Sequence, residues 1–280
     1  MNFVEKRIGL MNTQISIKAY SRLAKVDMEN AISEAFNQFH IVVARFTRFS
    51  QSSEVGILNN SNGKATSVSK ELFELVEFGL KLGKKTDWIF DITVADILEA
   101  YGYDQNYSFE KLEDPNLQDL IRQLIVNRPK PQDIILDKKN LIIKLSPNQK
   151  IDLGAYAKGY AIRLARDKLL QLGVDKFLIN AGGDVYAHGK VWEVKLFDPV
   201  KTLKTGKFET VKSIRLRNEA VACSGPWARK IKFFHHLVNP KTGLPTRHKA
   251  QIAFVRHSDP MYADALATIN YLMNKKQLFF

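Results

Sequence analysis

The feature that most constrains the fold is a stretch in which glycines bracket a predicted helix and a predicted strand. Residues 151–159 lead into a helical pattern, and Gly173 stands where a left-handed residue would end that helix. The apolar stripe of this helix is formed by Ala161, Leu164, Ala165, Leu169 and Leu172. A short buried strand follows over residues 176–180 and runs into Gly182 and Gly183. The stretch therefore predicts a helix and a strand joined by a tight turn, with a second glycine turn after the strand.

Elsewhere, strand patterns come in clusters that helical patterns separate. Alternating apolar and polar residues predict a strand over residues 13–20, and three- and four-residue spacing predicts a helix over residues 28–46. The further predictions are a helix from residue 69, a hairpin over 134–145, strands over 191–197, 212–216 and 252–256, and a helix over 261–274. Such clustering is typical of an α+β fold with mixed or antiparallel sheets. Because repeats and long linkers are absent, we expect one domain over residues 1–280.

Charge narrows the choice of partner. The chain has 42 Lys and Arg against 29 Asp and Glu, a net charge of +13, which favours an anionic ligand. No acidic residue lies between Glu219 and Asp259, so this stretch can be either a solvated basic face or an anion site. The sequence carries no nucleic-acid-binding signature, so we do not expect a nucleic-acid partner.

Location is suggested by what the sequence lacks. No stretch is apolar enough for a transmembrane segment. Residues 1–7 are not followed by the apolar core of an export signal, and there is no lipobox cysteine, so the sequence as it stands predicts a cytoplasmic protein. The one cysteine, Cys223, cannot form an internal disulfide.

The glycine turns also suit a phosphate-bearing ligand. We expect Lys158 in the first turn of its helix, where backbone N–H groups, the helix dipole and an ammonium together can hold a diphosphate. A Walker loop is excluded because Tyr160 stands where its lysine should be, and no GxGxxG motif occurs. The same glycines can instead serve tight turns and close packing of the helix against a strand.

A pair of oxygen-bearing side chains lies near the carboxyl end. Asp264 and Thr268 are four residues apart on a predicted helix, so they project from one face. A carboxylate and a hydroxyl so placed can bind Mg²⁺, with backbone carbonyls and water completing its shell. In the alternative interpretation the threonine bonds to a carbonyl of the preceding turn and the aspartate faces water.

Two adjacent histidines, His235 and His236, precede a turn that contains proline and glycine. Neighbouring residues of a strand face opposite sides, so we expect at most one of them to face a site. A histidine there can act as a general base or donate to a phosphate, and it can also be purely structural. Cys223 and Ser224 could in principle act as nucleophiles, but the sequence spacing identifies no His and Asp that would activate either of them.

Six short motifs, taken in order, resemble those of the ApbE family of flavin transferases, the FAD:protein FMN transferases. They are Phe-Asp-Ile-Thr-Val at 90–94, Asp-Leu-Gly-Ala-Tyr-Ala-Lys-Gly-Tyr-Ala at 152–161, Asn-Ala-Gly-Gly-Asp at 180–184, Ala-Cys-Ser-Gly at 222–225, His-Leu-Val-Asn-Pro-Lys-Thr-Gly-Leu-Pro at 236–245 and Ala-Asp-Ala-Leu-Ala-Thr at 263–268. The likeness is collinear from about Gly9 to Met273. It implies a single ApbE-like, T-fold-like α+β domain.

The resemblance also implies an enzyme, an Mg²⁺-dependent FAD:protein FMN transferase. FAD would bind with Mg²⁺ on its diphosphate, and FMN would be joined by a phosphoester bond to a Thr or Ser of an acceptor protein, with release of AMP. The implied metal ligands are the side chains of Asp264 and Thr268 and the carbonyl of Ala155. The implied flavin-nucleotide contacts are Met11, Asp91, Thr93, Lys158, Gly182 and Gly183.

By the same resemblance, the implied catalytic residues are His236 and Asp264. His236 would orient or deprotonate the incoming hydroxyl, and Asp264 or a metal-bound water is the alternative proton acceptor. Tyr101 or Tyr103 is expected to stack on a ring of FAD.

The sequence departs from the family pattern at several positions. After residue 94 the family usually continues Gly-Pro-Leu, whereas residues 95–97 here are Ala-Asp-Ile, and Cys223 replaces a customary threonine. Two other functions therefore stay open: a non-catalytic FAD-binding protein, and an FAD pyrophosphatase that yields FMN and AMP.

Overall fold

The structure is a computed structural model that describes residues 1–207, 209–248 and 252–274. Its strands are β1 (Asn2–Leu10), β2 (Thr13–Ser21), β3 (Thr66–Ser67), β4 (Ile135–Asp137), β5 (Ile142–Lys144), β6 (Lys176–Ala181), β7 (Asp184–His188), β8 (Trp192–Phe197), β9 (Thr210–Leu216), β10 (Glu219–Ser224), β11 (Lys230–Ile231), β12 (Phe234–His235) and β13 (Ala253–His257). Its helices are α1 (Lys25–Phe46), α2 (Glu54–Asn59), α3 (Lys70–Lys85), α4 (Ala95–Ala100), α5 (Leu117–Asn127), α6 (Ala157–Gln171), α7 (Pro199–Thr205) and α8 (Pro260–Leu272). Within the described ranges, none of the helices combines the length and hydropathy needed to cross a bilayer.

The main sheet has six strands in the order β1-β2-β6-β7-β10-β13, and every neighbouring pair is antiparallel. Gly182 and Gly183 join β6 to β7, with φ angles of 65° and 100°. A two-residue hairpin turn with positive φ at both positions is one that glycine adopts without strain. Ala181 pairs with Asp184 across this turn, so β7 begins with a carboxylate at the end of the sheet.

Three helices, α1, α6 and α8, pack together and form the principal core with one face of the main sheet. α6 and α8 approach most closely at Gly159, where a Cβ atom would lie 2.8 Å from both the Cβ of Asp264 and the Cα of Met261. Any side chain at Gly159 would therefore push the two helices apart. The first turn of α6 is thus held directly against α8.

The opposite face of the sheet carries a two-stranded antiparallel ribbon formed by β8 and β9. Val185 and Val221 alternate along their strands with residues of the principal core, so they point to the other side of the sheet. There they form a second, smaller core with Val194 and Leu196 of the ribbon. The main sheet is therefore covered on both faces.

The elements predicted from spacing are all present, with ends shifted by three residues at most, and the α+β class with mixed and antiparallel sheets is confirmed. The extent of one domain over residues 1–280 stays a prediction. Sequence reasoning missed β1, β7, β10, α2, α4 and α5, among other short elements. β7 and β10 show no alternation because both of their faces are buried, which makes their residues apolar nearly throughout.

Candidate active site

Lys158 lies between two carboxylates. It is in the first turn of α6, and its ammonium forms an ion pair with Asp184 Oδ2 and lies 3.5 Å from Asp264 Oδ1. Asp184 reaches this point because it follows the Gly182 and Gly183 turn, and Asp264 reaches it because α8 packs closely on α6. One ammonium thus lies between two anions that are almost entirely buried.

Asp264 and Thr268 lie one helical turn apart on the same side of α8. Asp264 Oδ2 accepts a hydrogen bond from Gly159 N–H (2.8 Å), so this carboxylate satisfies one of the first-turn N–H groups of α6. Thr268 Oγ1 lies 3.4 Å from Ser224 Oγ at the end of β10. Asp264 is 5% exposed and Thr268 is 8% exposed, yet both line one cavity. The helix therefore brings a carboxylate and a hydroxyl to the same wall.

That cavity, here called the central cavity, has a volume of about 1090 Å³ including its open part. Among the residues that the sequence assigns to chemistry, those lining the central cavity are Asp91, Ala155, Lys158, Gly182, His236, Asp264 and Thr268. Met11, Thr93 and Gly183 lie outside its wall. The structure thus brings together residues that are up to 177 positions apart, from 91 to 268.

The turn before α6 is fixed by a buried arginine. Gly154 N–H donates to Asp152 Oδ1 (2.5 Å), and Arg48 Nε donates to Asp152 Oδ2 (2.7 Å). The Arg48 guanidinium also donates to the carbonyl of Tyr103 (2.5 Å), and its side chain is 3% exposed. These bonds hold the turn in place, so that Ala155 lies at the cavity wall near Lys158.

The two histidines lie in different surroundings. His236 lines the central cavity. His235 is buried, and its Nε2 makes a hydrogen bond with the carbonyl of Thr246 (2.8 Å). Burial lowers the pKa of His235, so it is neutral at physiological pH. Of the pair, His236 is therefore the one whose ring can meet a ligand.

Asp91 and Thr93 belong to a buried polar network that shapes the cavity wall. Asp91 Oδ1 accepts hydrogen bonds from the N–H and the hydroxyl of Thr93 (both 2.7 Å). Arg128 lies 3.3 Å from Asp91 Oδ2 and 3.3 Å from Asp96 Oδ2, and it also donates to Thr93 Oγ1 (2.7 Å). The Thr93 hydroxyl is thus engaged within the protein, and its direct contact with a flavin nucleotide stays a prediction.

Met11 lines a second cavity, here called the aromatic cavity, which also contains Phe49, Tyr103 and Tyr107. The rings of Phe49 and Tyr107 are 5.5 Å apart, and those of Tyr103 and Tyr107 are 5.2 Å apart. The aromatic and central cavities are both lined by Tyr103, Asp152, Gly154 and Lys158, so they lie side by side.

Tyr101 cannot stack on a ligand, in contrast to Tyr103. It is fully buried, its hydroxyl donates to the carbonyl of Gly243 (2.9 Å), and its ring packs on Phe234 at 4.7 Å. Tyr103 lines both cavities, and its stacking on a ring of FAD stays a prediction.

The sequence was also compared with models of known protein families. The sequence model of the ApbE family matches residues 11–279. The chain belongs to the ApbE family. The resemblance seen in the motifs is thereby confirmed.

Two curated relatives are named FAD:protein FMN transferase. The FAD:protein FMN transferase of Klebsiella pneumoniae (strain 342) is 27% identical over 266 residues, covering 93% of this chain and 79% of the relative. That of Haemophilus influenzae (strain ATCC 51907 / DSM 11121 / KW20 / Rd) is 28% identical over 241 residues, covering 81% and 68%.

Solved ApbE structures share the fold. The ApbE protein of Thermotoga maritima superposes with a TM-score of 0.86 at 26% identity, covering 98% of this chain and 88% of that one. The flavin transferase ApbE of Vibrio cholerae gives a TM-score of 0.81 at 20% identity, covering 97% and 88%. The latter likeness concerns the fold alone.

One departure from the ApbE pattern, Cys223, lies at the edge of the central cavity. Its backbone N–H donates to Asp184 Oδ1 (2.9 Å), so the backbone here helps to orient that carboxylate. Burial raises the pKa of the Cys223 thiol to about 11, so the thiolate is scarce at neutral pH. Cys223 therefore contributes its backbone to the ApbE site rather than a nucleophile.

Sequence reasoning assigned no role to Asp184, Asp152, Arg48 or Arg128. Asp184 and Asp152 lie within ApbE motifs, and the position of Asp184 directly after a glycine turn was a usable signal. Arg48 and Arg128 lie outside the motifs, and their partners are distant in the chain: Arg48 pairs with Asp152 across 104 positions. No local pattern marks such contacts.

Proposed function

We propose that this ApbE-family chain transfers FMN from FAD to a Thr or Ser hydroxyl of an acceptor protein in an Mg²⁺-dependent reaction that releases AMP. The observation that carries the proposal is the convergence of Asp264, Thr268 and Lys158 on one cavity wall at the start of α6. Phosphoryl transfer requires positioning and charge neutralisation above all, and this arrangement can supply both.

The donor set fits Mg²⁺. Asp264 Oδ1 and Thr268 Oγ1 are hard oxygen donors from one helix face, and the Ala155 carbonyl is the proposed third ligand from the facing turn. Among the described residues there is no group of three or more His, Cys, Asp and Glu that could hold a metal, which argues against a zinc site. The ammonium of Lys158 already lies 3.5 Å from Asp264 Oδ1, so this place favours a cation. When bound, Mg²⁺ would neutralise charge on the FAD diphosphate.

The chain's own groups would bind the rest of the diphosphate. Lys158 is held by Asp184 and Asp264, and it is placed to contact phosphate oxygens that enter the central cavity. The start of α6 adds backbone N–H groups and the positive end of the helix dipole. Tyr103 and the aromatic cavity offer flat surfaces for a ring of FAD.

The proposed reaction forms one phosphoester bond, breaks one bond of the diphosphate and releases one proton. A new bond forms between the acceptor hydroxyl oxygen and the phosphorus of FMN, while the bond from that phosphorus to the bridging oxygen breaks and AMP leaves with this oxygen. The hydroxyl proton must leave as attack proceeds. His236 is the proposed group that orients the hydroxyl or takes its proton, with Asp264 as the alternative.

The proposal is tested by incubating the protein with FAD, Mg²⁺ and a pool of ten-residue peptides that carry a central Thr or Ser among Gly and Ala. Mass spectrometry should detect peptides that have gained FMN, with AMP released in equal amount. We expect EDTA to abolish both products and excess Mg²⁺ to restore them.

Three other outcomes of the same experiment would contradict the proposal. Free FMN with AMP and no adduct would identify an FAD pyrophosphatase. Tight FAD binding without AMP release would identify a flavin-binding protein. Full transfer in EDTA would exclude the role of Mg²⁺.

A second prediction concerns the thiol. Because burial raises the pKa of the Cys223 thiol to about 11, we expect its thiolate to take no part in transfer. We expect Cys223→Ser to leave the rate of AMP release unchanged and iodoacetamide not to inactivate the wild-type protein. A large rate loss in Cys223→Ser with FAD binding intact would show that the thiol participates.

A further inference from the structure

A groove on the ribbon-covered face of the main sheet runs up to the central cavity. Its floor is lined by Ser16 and Lys18 of β2, Leu178 and Asn180 of β6, Val185 of β7, and Gly183 of the turn before β7. We call it the sheet groove. It meets the central cavity at Gly182, Cys223 and Trp227, which line both. The groove therefore offers a route to Lys158 and its two carboxylates that is separate from the aromatic cavity.

The other wall of the sheet groove is an open strand edge. The five consecutive residues 193–197 of β8 all line it. Successive side chains of a strand point to opposite faces, so a groove touched by five in a row must run along the edge of the strand. Among the described residues, β8 pairs only with β9. Alternate residues of β8 therefore turn their backbone N–H and C=O groups toward the groove.

The central cavity, the aromatic cavity and the sheet groove give three routes to the site, and the reaction has three groups that extend from one phosphorus atom. During transfer the ribityl chain of FMN, the leaving AMP and the incoming hydroxyl all extend from this atom, and the last two lie roughly in line. The central and aromatic cavities lie side by side at Lys158, and the two halves of FAD would occupy them. The sheet groove is the remaining route, and its open strand edge presents hydrogen-bonding groups that match an extended polypeptide.

We propose that the sheet groove binds the acceptor protein as an extended segment that pairs with the open edge of β8 and places its Thr or Ser hydroxyl beside Cys223. This inference rests on the proposed transferase function. The main-chain hydrogen bonds to β8 give affinity without demanding particular side chains.

The first test fills the groove. Ser16→Trp places an indole on its floor, and Ser213→Trp places one on the exposed face of β9 as the matched control. With a peptide that the wild-type protein flavinylates, we expect Ser16→Trp to raise the peptide KM at least tenfold. The affinity for FAD, measured by quenching of flavin fluorescence, should stay within twofold, and Ser213→Trp should match wild type in both.

The second test uses the peptide backbone. Two versions of the same peptide are N-methylated at alternate residues, one at odd and one at even positions. A segment paired with β8 points every second N–H at that strand, so one version should lose at least tenfold in KM while the other changes little.

Each result decides between the alternatives. An unchanged peptide KM in Ser16→Trp, or equal losses in both methylated peptides, overturns strand pairing at β8. A loss of FAD affinity in Ser16→Trp would show that the groove holds part of FAD instead. If the wild-type protein flavinylates no peptide of the pool and releases no AMP, the proposed function and this inference fail together.

Discussion

Asp264→Asn is expected to lower the rate of FMN transfer by about 10³-fold while the protein stays folded. Asparagine keeps the shape of the side chain, and its oxygen can still accept the hydrogen bond from Gly159 N–H. Its neutral amide cannot neutralise a divalent cation, and it removes one of the two anions around Lys158. Loss of several kcal/mol of charge stabilisation corresponds to a rate loss of this order.

The measurement is AMP release at saturating FAD and Mg²⁺, together with a thermal melt to show that folding is intact. Asp259→Asn is the matched control on the same helix. Asp259 is the N-cap of α8 and accepts from Met261 N–H (2.8 Å), and asparagine caps a helix equally well. We expect this variant to transfer FMN at the wild-type rate. Full turnover by Asp264→Asn would refute the proposed metal site at α8.

Thr268→Val tests the second side-chain ligand of the same site. Valine has the shape of threonine and removes only the hydroxyl, which lies 3.4 Å from Ser224 Oγ. The charge of Asp264 remains in this variant, so the rate loss should be smaller than in Asp264→Asn. Raising the Mg²⁺ concentration should recover part of it, because one weak ligand has been lost rather than the anion.

Local spacing predicted where several of these side chains lie, and the resemblance to the ApbE family assigned them to a site. The four-residue interval between Asp264 and Thr268 sets them on one helix face whatever the rest of the chain does. Neighbouring residues at the end of a strand face opposite sides, so only one of His235 and His236 was expected to face the site, and His236 does. Lys158 follows from a helix start that glycines mark. These are properties of a few neighbouring residues, so the sequence alone contains them.

What the sequence could not supply is contact between distant segments. The pairing of Arg48 with Asp152, and that of Arg128 with Asp91, depend on how the helices pack on the sheet. β7 is buried on both faces because the ribbon of β8 and β9 covers the far face of the sheet. Its residues therefore do not alternate between apolar and polar, which is the pattern by which a strand is predicted from sequence. Arg128 and Asp96 are charged residues whose side chains are largely buried, and no local pattern marks that burial.

Arg128→Met is expected to destabilise the protein by about 3–5 kcal/mol, the cost of leaving buried carboxylates without their cation. The Arg128 side chain is 7% exposed, and it lies 3.3 Å from the carboxylates of both Asp91 and Asp96. Methionine fills a similar volume but cannot pair with either. Urea unfolding at pH 8 measures the difference in the free energy of unfolding. Arg122→Met is the matched control on α5, since Arg122 is 77% exposed in its pair with Asp119, and its effect should be small.

The pH dependence separates an electrostatic cause from simple misfit. Burial raises the pKa of Asp96 in the folded protein, and Arg128 opposes that rise. Without Arg128 the folded-state pKa of Asp96 lies further above its unfolded value, so the folded variant takes up a proton more readily than the unfolded chain as the pH falls. The deficit of Arg128→Met relative to wild type should therefore be smaller at pH 5 than at pH 8. A deficit that is the same at both pH values would assign the loss to packing.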